Sequence, residues 1–335
     1  MELTDIWFLL IAVLWTGYLV LEGFDFGVGM LLPAVAKDAV DRQVTLRTIG
    51  PVWDGNEVWL LVAGGATFAA FPFWYASLFS GFYLALLVIL VALIVRGLAL
   101  EYRNKLQDAA WHRRWDLAIV IGSAVPALLW GVALANIVRG VPLDANHDFT
   151  GNFFTLLNPY ALLGGLTTLV LFALHGAIFL ALKTHGAVRD RARALVLPLG
   201  ATTVPLAAAF LIWTQAYDGS WLTWVLALLA VVCLVGGILA SRAGRDGLGF
   251  LGTAATIVLA AATLFVTLYP NVLPSTTDAA FSLTTTNAAS TPYTLKIMTW
   301  VAVIFTPIVL AYQTYTYWVF RKRLTRDDIS QVKVA

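Results

Sequence analysis

Four acidic residues stand inside or at the edge of long apolar runs. Glu22 and Asp25 lie within the first run, three residues apart and therefore on one face of a helix. Asp54 and Glu57 open the second run with the same spacing. An ionisable side chain at the centre of a bilayer costs about 2.5–3.5 kcal/mol on insertion scales, so such residues need a reason. Carboxyl groups gathered at similar depth on consecutive helices suit proton entry or cation binding. Two plainer readings compete. Asp54 and Glu57 could cap a helix by satisfying its exposed N–H groups. Glu22 and Asp25 could pair with an arginine such as Arg96. His175, also inside an apolar run, could be a haem ligand, a proton carrier or a hydrogen-bonded interior histidine, the last being the commonest fate of such a residue. His112, His147 and His185 fall in loops or at a helix end and read as solvated. Met30 and Met298 read as apolar filler.

The elements that must position these residues are set by composition. Of 335 residues, 60% are hydrophobic and 12% charged, against about 25% charged in a soluble domain. Most of the surface must therefore face something other than water. Nine runs reach the roughly 20 apolar residues a spanning helix needs, at about 7–32, 52–71, 74–98, 116–139, 157–182, 195–215, 221–241, 247–269 and 295–320. Pro72 separates the second and third with almost no loop, which makes them antiparallel neighbours. The expected fold is an all-α polytopic membrane protein in one membrane domain, 1–335. A first four-helix unit covers 5–140, a second covers 155–270, and a ninth helix spans 294–320. The division rests on Leu21-Glu22-Gly23 and Leu174-His175-Gly176, each placing a polar residue about 22 Å along its helix at 1.5 Å per residue.

Orientation follows from lysine and arginine, which accumulate in cytoplasmic loops. Of the 21 in the chain, all but Arg139 and Lys296 fall on one side, in the links after helices 1, 3, 5 and 7 and in the tail with Arg321, Lys322, Arg323, Arg326 and Lys333. This puts the N-terminus outside and the C-terminus in the cytoplasm. The start, Met1-Glu2-Leu3-Thr4-Asp5, lacks the positive region of a cleavable signal, so the first run should stay as a helix. The longest outer link, about 269–294, is rich in Ser and Thr with three prolines, and reads as polar and ordered by turns.

Several classes of chemistry are excluded. The single cysteine, Cys233, rules out an internal disulfide and any multi-cysteine metal or iron–sulfur site. Gly27-Val28-Gly29 lacks the third glycine of a dinucleotide loop, and no phosphate-binding Gly-Lys-Ser/Thr loop is present. Gly23 with Gly27, Gly64-Gly65, Gly164-Gly165 and Gly236-Gly237 read as faces for close helix packing. Nothing points to nucleic acid.

The stretch Glu22-Gly23-Phe24-Asp25-Phe26-Gly27-Val28-Gly29 resembles the first-helix signature of subunit II of cytochrome bd-type quinol oxidases. So does Trp53-Asp54-Gly55-Asn56-Glu57-Val58-Trp59-Leu60, followed by Ala63-Gly64-Gly65-Ala66 and Phe68-Ala69-Ala70-Phe71-Pro72. Phe79-Ser80-Gly81-Phe82-Tyr83, Arg96 with Glu101-Tyr102-Arg103, Trp115-Asp116, Gly151-Asn152-Phe153-Phe154, Leu157-Asn158-Pro159 and Met298-Thr299-Trp300-Val301-Ala302-Val303 extend the likeness over nearly the whole chain. The resemblance implies a subunit of the bacterial or archaeal cell membrane that joins a haem-bearing subunit I in oxidising quinol and reducing dioxygen to water. The haems b and d belong to subunit I, and this chain holds no cofactor alone. Asp54 matches the aspartate at a proton pathway through subunit II, with Glu22 and Asp25 at neighbouring acidic positions and Glu57 at a position where some members have glutamine. The resemblance leaves open a structural quinone or lipid among the helices and a small single-helix accessory subunit. The acidic cluster alone would also serve an autonomous proton or cation transporter, which would purify without a haem-bearing partner.

Overall fold

Several helices start where a side chain can satisfy their first N–H groups. Glu2 and Asp5 form a capping box at the head of α1 (Leu3–Val35). Asp38 accepts from the Asp41 N–H to start α2 (Ala39–Arg47), and Asp108 does the same for α6 (Ala109–Arg139). Asn158-Pro159 opens α7 (Pro159–Lys183), with proline at the first position where its missing N–H costs nothing. The computed structural model describes residues 2–330, the last by its backbone alone; Met1 and Lys333 lie outside the described residues.

The remaining helices are α3 (Trp53–Ala70), α4 (Pro72–Gly81), α5 (Tyr83–Tyr102), α8 (Ala187–Asp218), α9 (Trp221–Arg242), α10 (Asp246–Leu268), α11 (Pro292–Val319) and a final turn, α12 (Asp327–Ser330). Eight of these, α1, α5 to α11, are long and apolar enough to cross a membrane. The chain is an all-α polytopic membrane protein. α3 has 18 residues, about 27 Å of helix, but its polar start lowers its hydropathy. The expected continuous third helix is instead broken at Phe82 into α4 and α5. Gly81 packs there against the Phe149 ring, where a Cβ would come within 2.8 Å. An uninterrupted apolar run does not betray that contact.

Packing inside the bundle depends on glycine. Gly23 meets the Phe172 ring, and one turn later Gly27 meets the Gly176 backbone, so α1 and α7 run parallel. This register sets Glu22 and His175 about one turn apart in depth, rather than level as the two sequence motifs suggest. Gly131 and Gly164 bring α6 and α7 together, and Gly237 and Gly252 bring α9 and α10 together. Gly64, Gly65 and Gly236 depart from expectation: nothing in this chain lies within 4 Å of where their Cβ would be. α7 is the most enclosed helix, whereas α11 is almost wholly exposed.

The two ends of the bundle differ. At the basic end two buried aspartates gather loop and tail arginines. Buried Asp41 takes Arg191 and Arg326, each at 2.6 Å, and buried Asp246 takes Arg189 at 2.6 Å. At the other end the segment after α10 forms two short strands, β1 (Asn271–Leu273) and β2 (Leu283–Thr284), which are antiparallel. Val141 after α6 joins them through its N–H to Pro274 O at 3.0 Å. His147 is ordered here and not simply solvated, its Nδ1 lying 2.8 Å from Phe281 O.

Candidate functional site

Glu22 and Asp25 are both fully buried. α1 carries them towards α3 and α5, because Gly23 and Gly27 on its other side hold it against α7. Arg96, buried in α5, donates from Nη2 to Glu22 Oε1 and lies 3.6 Å from Glu57 Oε2. Its guanidinium sits over the Phe26 ring, 4.7 Å from the centroid, a cation–π contact that helps hold a desolvated cation. The pairing of Glu22 with Arg96 is the plainer reading of that acid, and the structure brings it about. Arg96 thus bridges an acid of α1 and an acid of α3.

Asp25 has a different partner. Asn56, one residue before Glu57 and fully buried, donates from Nδ2 to Asp25 Oδ2 at 2.7 Å. Its carbonyl accepts from Tyr317 OH at 2.7 Å and Gln313 Nε2 at 3.4 Å, both on α11. Gln313 in turn accepts from Trp59 Nε1 at 2.8 Å. Four helices therefore meet around two acids. Glu22 Oε2 and Asp25 Oδ1, the second oxygen of each acid, are buried without a hydrogen-bond partner in the chain. Two buried carboxyl groups, each with one oxygen committed within the chain and one uncommitted, are suited to taking up and releasing protons.

Asp54 stands apart. It is exposed in the first turn of α3, whose N-cap is Val52 without a side-chain bond. Among the described residues it makes no hydrogen bond or ion pair. Glu57 lies one turn further in, half-buried, between Asp54 and Arg96. The four predicted residues thus divide into a buried pair, a linking residue and an outer one. Sequence reasoning missed Asn56, Gln313, Tyr317 and Trp59. A signal was present for two of them: Gln313 and Tyr317 are four apart and so share one face of their helix.

The buried histidine is fully occupied. His175 Nδ1 lies 2.7 Å from Thr253 Oγ1 and Nε2 3.3 Å from Val20 O, and the ring stacks on Phe250 with centroids 4.6 Å apart. A haem iron needs a free ring nitrogen, so this residue does not fit an axial ligand. Among the described residues no three His, Cys, Asp or Glu side chains converge as a metal site.

The family signature described as cytochrome bd terminal oxidase subunit II matches residues 3–320. Cytochrome bd ubiquinol oxidase subunit 2 of Bacillus subtilis is 38% identical over 98% of this chain and 98% of its own length. Cytochrome bd-I ubiquinol oxidase subunit 2 of Escherichia coli is 35% identical over 97% of this chain and 96% of its own. A chain of the bd oxidase of Geobacillus thermodenitrificans superposes with a TM-score of 0.77, covering 96% of this chain and 100% of that one at 17% identity, which is a likeness of fold. The chain accordingly belongs to the cytochrome bd terminal oxidase subunit II family and is a multi-pass plasma-membrane subunit of an oxidoreductase complex.

Proposed function

We propose that this chain is the haem-free subunit of a complex that couples quinol oxidation to reduction of dioxygen to water. In this reading it scaffolds a haem-bearing subunit I and carries protons from the cytoplasm towards it. The haems b and d of the partner supply the redox chemistry; the residues of this chain hold and move protons. The observation that carries the reading is the buried pair Glu22 and Asp25, held by Arg96 and Asn56 with one oxygen of each uncommitted. Lipid cannot deliver the protons that oxygen reduction consumes, so titratable groups must line the way. Asp54 is the entry group in this path, Glu57 the link, and the buried pair the inner station. The proposal takes the basic end as cytoplasmic and α3 as the second of nine crossings, with the chain divided into units at 5–140 and 155–270 and a ninth helix at 294–320.

The scaffold part rests on exposed apolar faces. Val58, Leu61 and Val62 of α3, much of α5 and nearly all of α11 are uncovered in this chain, a surface fit for other membrane helices or lipid. A groove of about 1110 Å³ between α1, α10 and α11, walled by Phe8, Val13, Val258 and Leu310, suits an isoprenoid or acyl chain; we assign it to the structural quinone or lipid.

The test is oxygen consumption per haem at saturating quinol in Asp54→Asn, Asp25→Asn and Glu22→Gln, with the assembled fraction measured separately. Slower turnover with an intact haem spectrum is expected. Unchanged turnover in all three and in their triple combination leaves a scaffold alone, and purification without a haem-bearing partner would favour a transporter.

A further inference from the structure

The hydrogen bonds around Asp25 have a direction fixed by one group. The indole N–H of Trp59 can only donate. It points at the Gln313 side-chain oxygen, so the Gln313 amide nitrogen must face the other way, towards Asn56. An amide nitrogen donates, so Asn56 must turn its oxygen to Gln313, where the Tyr317 hydroxyl also donates to it. The Asn56 nitrogen is then left facing Asp25 Oδ2, at 2.7 Å. Amide orientations that are ambiguous in isolation are thus settled by the order of partners.

We infer that Gln313 and Tyr317 of α11 are positioning residues that lock the Asn56 amide and thereby make Asp25 Oδ1 the atom that takes and releases the proton. The inference rests on the proton-path reading above and adds its inner geometry. With Oδ2 occupied by an N–H, a proton arriving there would face a donor. Oδ1 is buried and has no partner in the chain. Were Tyr317 and Gln313 absent, the amide could rotate and offer its carbonyl to Oδ2, which would then carry the proton as a donor to Asn56, and exchange at Oδ1 would stop. This gives the sparsely packed α11 a role in the site: of its side chains only Leu295 is buried, yet it contributes both donors to Asn56.

The experiment uses the assembled oxidase. Tyr317→Phe removes one hydroxyl and keeps the ring; Trp59→Phe removes the anchoring N–H and is the second variant should the first fail to assemble. The Asp25 carboxyl or carboxylate band is assigned in the infrared difference spectrum by its loss in Asp25→Asn. In Tyr317→Phe that band is expected to shift in frequency, and turnover per haem to fall several-fold. The double variant Tyr317→Phe with Asp25→Asn should be no slower than Asp25→Asn alone, because Tyr317 acts through Asp25. An unmoved band, or a double variant slowed by the product of the two single effects, would overturn the inference. If Asp25→Asn leaves turnover intact, the proton path falls, and the band alone still decides the positioning.

Discussion

Gly27 of α1 and Gly176 of α7 meet backbone to backbone. A Cβ on Gly27 would stand 2.7 Å from the Gly176 Cα, and one on Gly176 would stand 2.6 Å from the Val28 nitrogen. No side chain can give way there, so one helix must move. Overpacking of this kind costs about 1–3 kcal/mol and occasionally more. Gly27→Ala and Gly176→Ala are each expected to lower the yield of assembled, haem-bearing complex several-fold. Gly64→Ala, with open space around it in this chain, should leave this chain's own thermal stability unchanged. Wild-type yields from both Gly27→Ala and Gly176→Ala would show that assembly does not depend on this close crossing.

Arg96 gives a second prediction, about stability. Removing one partner of a buried ion pair leaves an uncompensated charge and costs about 3–5 kcal/mol. Arg96→Gln should therefore lower the melting temperature of the complex sharply. Glu22→Gln combined with Arg96→Gln removes both charges and should recover most of that loss. A double variant no more stable than Arg96→Gln alone would mean that Arg96 acts through Glu57 or Phe26 rather than Glu22.

How much of this was legible in the sequence depends on what constrains each feature. The apolar runs and the basic end were legible, because lipid acts on composition and charge directly. Arg96 was legible as a partner because it is the one charged residue within the apolar part of α5. The break at Phe82 was not: the ring packed beside it, Phe149, lies far along the chain. The strands after α10 were hidden by their length of two and three residues. The bonds from Asn56 to Gln313 and Tyr317 were hidden for another reason: neutral polar side chains carry no long-range signal, and the partners lie more than 250 positions apart. Asp54 was visible as an acid at the head of its run, but the sequence did not say that it would be exposed while Glu22 and Asp25 were buried.

Orientation makes a third prediction, testable by labelling. Once Cys233 is replaced by alanine, Ala280→Cys, exposed between the two strands, should react in whole cells with a membrane-impermeant thiol reagent. Ala187→Cys, exposed at the basic end beside Arg189, should react only after the membrane is opened. The reverse pattern would invert the topology and with it the side from which Asp54 draws protons.

The tail carries the fourth prediction, and its sign can be worked out. Residues after α11 fold back onto the basic end: the Leu324 N–H reaches Lys183 O at 2.8 Å, and Arg326 reaches Asp38 at 2.8 Å and Asp41 at 2.6 Å. Ile329 is buried. The Asp41 N–H, and after it the Arg326 guanidinium, hold the Asp38 carboxyl below the ordinary carboxylate range. The Thr325 hydroxyl and N–H do the same for Asp328. A carboxyl depressed in the folded state stabilises that state above its unfolded value, roughly pH 4, and loses the effect as pH falls through the lower folded value. Both groups are exposed, so each contributes modestly, and the docked tail should stay closed throughout the neutral and mildly acidic range. Hydrogen exchange at Leu324, corrected for the intrinsic rate, should show constant protection from about pH 8 to pH 5 and a fall below about pH 4. Arg326→Ala should lower the protection at every pH. Asp38→Asn should lower it less, because asparagine keeps the cap of α2 and Asp41 still holds Arg326. Protection that persists to pH 3, or that ignores Arg326→Ala, would mean that Ile329 and the backbone contacts alone hold the tail.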